Sequence, residues 1–232
     1  FYALYLLFVA GVLPGWAFGA LGVPVFLRYF NRWHEALHAD QRGAKWHPAR
    51  DLLILVSPIY GGRAALEELH MVHHREEDGP GDPDRLLMQR RWWRALAWCL
   101  LQPEVYTVWQ LRHRGLSRSQ AARMAVHALV WIALMWLGGW RGLVAYNVVV
   151  RTANALAWFV FAWVVHQPWF YGQVNPPALP RALRWLWIAL VGRENYYGVR
   201  YHFLHHLFPA VPDRYLPELA GRLSSTPTGE SA

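Results

Sequence analysis

The chain of 232 residues has one cysteine, Cys99, and one lysine, Lys45. A single thiol excludes an intrachain disulfide framework and any metal site built from several cysteines. Charge is scarce as well, at 16% of residues, where soluble domains usually approach about a quarter. No internal repeat and no glycine-rich phosphate loop is present. The chain opens on Phe1 rather than Met, so no leader can be assessed. What fills the space left by charge is aromatic and aliphatic: 55% of residues are hydrophobic, and 15 are Trp. Mean hydropathy is nonetheless only +0.08, so apolar residues must be concentrated in segments. All but Lys45 of the 23 basic residues are Arg, and the net charge is +8. Such a balance suits nucleic acid or an anionic membrane surface. The apolar segments favour the membrane, and no nucleic-acid partner is expected.

Residues 1–27 carry no charge and are long enough to cross a bilayer once, either as one run or as a hairpin whose first arm is truncated, with breaks or kinks at Pro14-Gly15 and Pro24. Residues 52–62 are too short to span and read as re-entrant, interfacial or packed. The Arg- and Trp-rich stretch 89–112 has the composition of an interfacial amphipathic helix. The clearest spanning signal is a hairpin of 124–140 and 142–165, turning at Gly138, Gly139 and Gly142 with only Arg141 at its tip. Nearly all other Arg residues lie on the side that its two ends share, which the positive-inside rule makes cytoplasmic. Arg151 and Asn154 interrupt the second arm, either for a functional role or for a structural pairing, with Asn147 or a backbone carbonyl for instance. The expected fold is all-α: an integral-membrane helical bundle over residues 1–223 with a cytoplasmic histidine-rich cap. Residues 224–232, rich in Ser, Thr, Pro and Gly, read as a disordered tail.

Twelve His are present, and eight fall into three tight groups: His34 and His38 in HEALH, His70, His73 and His74 in HMVHH, and His202, His205 and His206 in HFLHH. Helical spacing puts each group on one face. Eight imidazoles in such clusters point to metal, because each neutral ring otherwise needs its own partners. HEALH taken alone is the zinc-protease signature H-E-x-x-H. A zinc site of that kind uses three protein ligands and keeps one position open, which would strand most of the clustered His. Two metal ions suit the number better, although nitrogen ligands alone do not name the metal. Glu35, Glu67, Glu68 and Asp82 lie near these groups and either orient the rings or are solvated surface charges.

The pattern H-x3-H, H-x2-HH and H-x2-HH, with a membrane hairpin between the second and third groups, resembles the integral-membrane fatty acid desaturase family. The likeness covers roughly residues 28–220 and includes HMVHHREEDGPGDPD, with its Asp-Pro-Asp, and HFLHHLFPAVPDRYLPEL. It implies two Fe ions at the cytoplasmic membrane face, held by His34, His38, His70, His73, His74, His202, His205 and His206. A ninth ligand often sits at the end of the last spanning helix, and His166 in VVHQPWF occupies that place. It further implies dioxygen as oxidant, an acyl chain of a fatty acid or lipid as substrate, and desaturation or hydroxylation as the reaction. With no fused redox module in the sequence, electrons must come from a separate ferredoxin or cytochrome b5-like donor. The acyl-CoA branch carries an Asn one turn before the extra His; here Ala162 stands there, and Asn154 is about 18 Å away along a helix. An acyl-CoA substrate is therefore not supported. A carotenoid ketolase or hydroxylase of the same superfamily is the alternative, and an intramembrane zinc protease a distant one, since no spanning segment carries an Asp.

Overall fold

The structure, a computed structural model, describes residues 1–38, 63–113, 115 and 117–225. The stretch 52–62, His47 and the end of the tail lie outside the described residues. Those residues form helices α1 (Tyr2–Val9), α2 (Gly15–Leu37), α3 (Arg63–Glu76), α4 (Trp92–Leu100), α5 (Gln102–His113) and α6 (Arg118–Trp158). A π-helical turn, Phe159–Val164, follows, and then α7 (Arg181–Val191), α8 (Arg193–Arg200), α9 (His202–Leu207), a 3-10 turn (Asp213–Tyr215) and α10 (Leu216–Ser225). No strand occurs among the described residues, in keeping with the all-α expectation. Helix α10 continues through Ser225, two residues into the stretch read from sequence as tail.

The uncharged opening run divides at Pro14, the first of the two proline positions marked from sequence. Pro14, extended at the N-cap of α2, separates an eight-residue α1 from a 23-residue α2. Pro24 is accommodated inside α2, whose last turns carry Arg28, Arg32 and Glu35. By length and composition, one helical stretch among the described residues can cross a membrane, Met124–Val164. It is broken at Gly139, whose φ of 57° lies in the left-handed region open to glycine, at the turn that the sequence predicts. Only 11% of its most apolar window is buried inside the protein, and Trp131, Ile132, Met135, Trp136 and Trp140 face outward. A buried core helix of a soluble protein would show the reverse.

One aromatic core joins α1, α2, α4, α5 and α6. Tyr5 is buried among Phe8, Phe18 and Tyr146 and donates a hydrogen bond to the Leu134 carbonyl at 2.8 Å. Glycines let α6 approach closely: a Cβ on Gly142 would stand 2.6 Å from the Tyr5 hydroxyl, and one on Gly22 2.8 Å from Val149. Stretch 89–112 is two helices rather than one, α4 burying Ala95 and Cys99 while Trp92 and Trp93 stay exposed. Arg151 donates to Glu104 and to the Leu100 carbonyl, and Asn154 donates to Gln102 at 3.2 Å. These polar groups of α6 are thus tied to the end of α4 and the start of α5; Asn147 instead donates to the Leu143 carbonyl.

Candidate metal centre

Three helix ends and one turn converge. The last turn of α2 carries His34 and leads to His38, and the last two turns of α3 carry His70, His73 and His74. Helix α9 carries His202, His205 and His206. His166 follows the π-helical turn, whose wider winding ends with the Val165 amide donating to the Val160 carbonyl at 3.2 Å.

Eight of these nine His, drawn from 173 positions of chain (206 − 34 + 1), gather into two adjoining sets of four. His34, His38, His70 and His205 form one, and His73, His166, His202 and His206 the other; within each, one nitrogen per ring lies within 4.8 Å of the rest. His74 sits between them, its Nε2 3.1 Å from that of His70 and its ring centroid 4.3 Å from that of His206. His38 and His205 are wholly buried, and Phe161 packs beneath His34 and His202. Of the solitary His, His113 hydrogen-bonds the Trp109 carbonyl and His127 is buried in the first arm of α6, both outside these sets.

The donor chemistry fits metal ions. Nε2 atoms face one another at 2.8 Å (His38 and His70), 3.1 Å (His70 and His74) and 3.0 Å (His202 and His206). Nε2 of His70 faces two such atoms, and a single hydrogen on it serves only one of them. Nε2 of His166 and Nε2 of His205 are buried, and neither has a hydrogen-bond partner among the described residues. Nitrogens bound side by side to an ion at about 2.1 Å stand roughly 3 Å apart, so the spacing is that of ligands around a shared cation. Imidazole suits iron, zinc and copper alike. Burial and mutual crowding push His70, His74, His166, His202 and His205 below the ordinary imidazole range, which keeps them neutral and their lone pairs available. His206 is lowered by burial too, with Glu77 working against the shift.

A ring of carboxylates backs the imidazoles. Nδ1 of His73 donates to both oxygens of Asp82 at 3.1 Å, which turns its Nε2 toward the cluster. Burial alone would lower His73, but Asp84, Asp82 and Glu77 raise it to about 8. Asp82 also accepts the amide hydrogens of Asp78 at 2.8 Å and Asp84 at 2.7 Å. Asp84 accepts the Tyr106 hydroxyl, and burial raises its carboxyl to about 6. Glu77 accepts the Tyr171 hydroxyl and lies 3.5 Å from Nε2 of His166 and 3.4 Å from Nδ1 of His206. Asp213 lies 3.7 Å from Nδ1 of His205. Of the acids considered from sequence, Asp82 has the orienting role. Glu35 faces the Asp213 amide at 3.3 Å, and the side chains of Glu67 and Glu68 lie outside the described residues. Glu77, Asp84, Tyr106, Tyr171 and Asp213 carry no helical or motif spacing that would single them out beforehand, although Asp84 belongs to the Asp-Pro-Asp.

HEALH therefore does not form a self-contained zinc-protease site: its two His share their set with His70 and His205, and Glu35 is engaged elsewhere. No curated protein and no solved structure matches the chain. A family model described as Fatty acid desaturase matches residues 10–229, nearly the whole length, and the chain belongs to that family of membrane di-iron oxidoreductases.

Proposed function

We propose that this protein is a membrane oxidase that removes two hydrogens from adjacent carbons of an acyl chain in a fatty acid or lipid. One iron is held by His34, His38, His70 and His205, the second by His73, His166, His202 and His206, with His74 available to either. The observation that carries this reading is the meeting of eight imidazoles in two adjoining sets of four, each with nitrogens within 4.8 Å, and of a ninth, His74, between them. The irons supply the reduction of dioxygen coupled to loss of hydrogen from an unactivated carbon. The balance is one dioxygen, two electrons and two protons consumed for each double bond formed, with two waters released. The electrons come from a separate donor of the ferredoxin or cytochrome b5 type, and the Arg-rich side that bears the histidines faces the cytoplasm.

The chain's own residues set the conditions. Phe30, Trp33, Trp158 and Phe161 pack as a buried aromatic floor under the histidines and keep water from the reacting carbon. Asp82 fixes the tautomer of His73, and Glu77, beside Nδ1 of His206, orients that ring. The test is metal analysis and iron spectroscopy of the purified protein, followed by lipid and carotenoid profiling of an expressing host. Two irons per chain and a new acyl double bond are expected. Zinc alone with peptide cleavage would overturn the oxidase reading, and an oxygenated carotenoid with unchanged lipids would overturn the acyl substrate.

A further inference from the structure

A second polar cavity lies between α2 and the α7–α8 corner, with a volume of about 360 Å³, lined by Arg28, Asn31, Arg32, Arg193, Glu194 and Asn195 together with Val191 and Gly192. Gly192 makes the corner: its φ of 109° lies in the left-handed region and lets α8 start directly after α7. Arg28 closes the end of α7 by donating to the Leu190 carbonyl at 3.0 Å and to that of Ala189. Arg32 pairs with Glu194 at 2.6 Å, and Asn195 accepts the Trp187 indole hydrogen at 2.9 Å. Arg193 is exposed and forms no ion pair among the described residues. Three guanidinium groups thus face one carboxylate, and the first turn of α8, without a side-chain cap, adds amide hydrogens that lack partners within the helix.

Asn31 points to a ligand. It is 3% exposed, and its side-chain oxygen is buried with no hydrogen-bond partner among the described residues. A buried amide in that state costs free energy that a ligand hydroxyl removes. The surroundings indicate where such a ligand comes from. Helix α7 buries none of its residues and exposes Leu183, Trp185, Leu186 and Leu190 beside Arg181 and Arg184, the composition of a helix lying in a membrane surface. The cavity opens at the C-terminal end of that helix.

We propose that this cavity binds the phosphate of an anionic membrane phospholipid whose head group also carries a hydroxyl. The guanidinium groups and the α8 amides take the phosphate, and Asn31 takes the hydroxyl. None of the nine histidines lines the cavity, and its occupancy does not depend on the oxidase reading. Iron-loaded protein in neutral detergent is titrated with short-chain phosphatidylglycerol, with diacylglycerol of the same chain length and with inorganic phosphate, by calorimetry or native mass spectrometry. Saturable binding of phosphatidylglycerol is expected, weakened roughly tenfold in Arg193→Gln and in Asn31→Leu with iron content unchanged. Arg193 is exposed, so its variant tests the idea even if Asn31→Leu fails to fold. Equal affinity in Arg193→Gln, or equal binding of diacylglycerol, overturns the proposal. Inorganic phosphate binding as tightly as the lipid overturns the membrane source. Arg193-dependent lipid binding in a protein without oxidase activity leaves this site standing and fails the catalytic reading alone.

Discussion

Asp82→Asn tests the carboxylate ring most directly, because the change keeps the shape and removes the charge. His73 Nδ1 lies 3.1 Å from both Asp82 oxygens, and the same oxygens accept the Asp78 and Asp84 amides. An amide in that place retains one acceptor oxygen. If its NH2 group faces Nδ1 it donates there, the ring hydrogen moves to Nε2, and the lone pair needed for a metal is lost. Removing such a partner typically weakens metal binding by roughly 10–100-fold. A second effect runs the other way. The acidic neighbours raise His73 to about 8 in the metal-free protein, so at pH 7 a proton competes with the metal and costs the wild type about tenfold. Loss of the Asp82 charge lowers that barrier. The variant is therefore expected to lose the full factor at pH 9, where His73 is mostly neutral in both proteins, and a smaller factor at pH 7, where Asp84 and Glu77 still hold part of the raised pKa. Iron per chain against a competing chelator, at both pH values, measures this. Wild-type affinity for two irons at pH 9 refutes the argument.

His73→Ala removes one imidazole of the second set and is expected to abolish turnover and lower bound iron; full turnover in a protein depleted of iron would contradict it. Gly198→Ala would bring a Cβ within 2.5 Å of Asp213, which cannot retreat without moving from His205. A loss of about 1–3 kcal/mol in stability is expected, read as a lower unfolding midpoint in detergent. Burial, with Asp84 adding to it, pushes the Cys99 thiol up to about 12, so at pH 8 roughly one chain in ten thousand carries a thiolate. Maleimide is expected to leave the folded protein unlabelled for hours and to react rapidly once it is unfolded; equal rates would show that α4 is not packed on α6.

The histidines were legible in the sequence because a metal site of this kind depends on spacing within helices, and i, i+3 and i+4 repeats survive as text. The hairpin was legible for a similar reason, since a glycine turn between two apolar runs has a compositional signature. The carboxylates were not. Glu77 reaches His166 and His206 across 89 and 129 positions (166 − 77 and 206 − 77), and only the packing of α3 against α9 and the turn after α6 makes it a neighbour. The break at Pro14 was legible, but the extent of α2 was not: hydropathy ends the opening run at Leu27, whereas the helix continues past the apolar part to deliver His34. The pairing of Arg151 with Glu104 illustrates the same limit: the sequence shows a charge at membrane depth but not the partner brought by α5.

Removing the metals separates what the ions hold from what the apolar core holds. The main core ties α1, α2, α4, α5 and α6 through more than a dozen buried aromatic and aliphatic side chains and includes no ligand. Helix α9 is only six residues long, and its own core is small: Tyr201, Leu204, Leu216 and Ala220. Such a helix is too short to be stable by itself, so its place beside α2 and α3 depends on the contacts its histidines make. Without ions, those contacts become crowded neutral nitrogens that share too few hydrogens. Chelation is therefore expected to raise amide hydrogen exchange in α9 and α10 by orders of magnitude while α6 stays protected. Exchange that rises equally in α6 and α9 would mean that the histidine centre supports the whole bundle. Exchange that does not rise in α9 would mean that its position needs no metal.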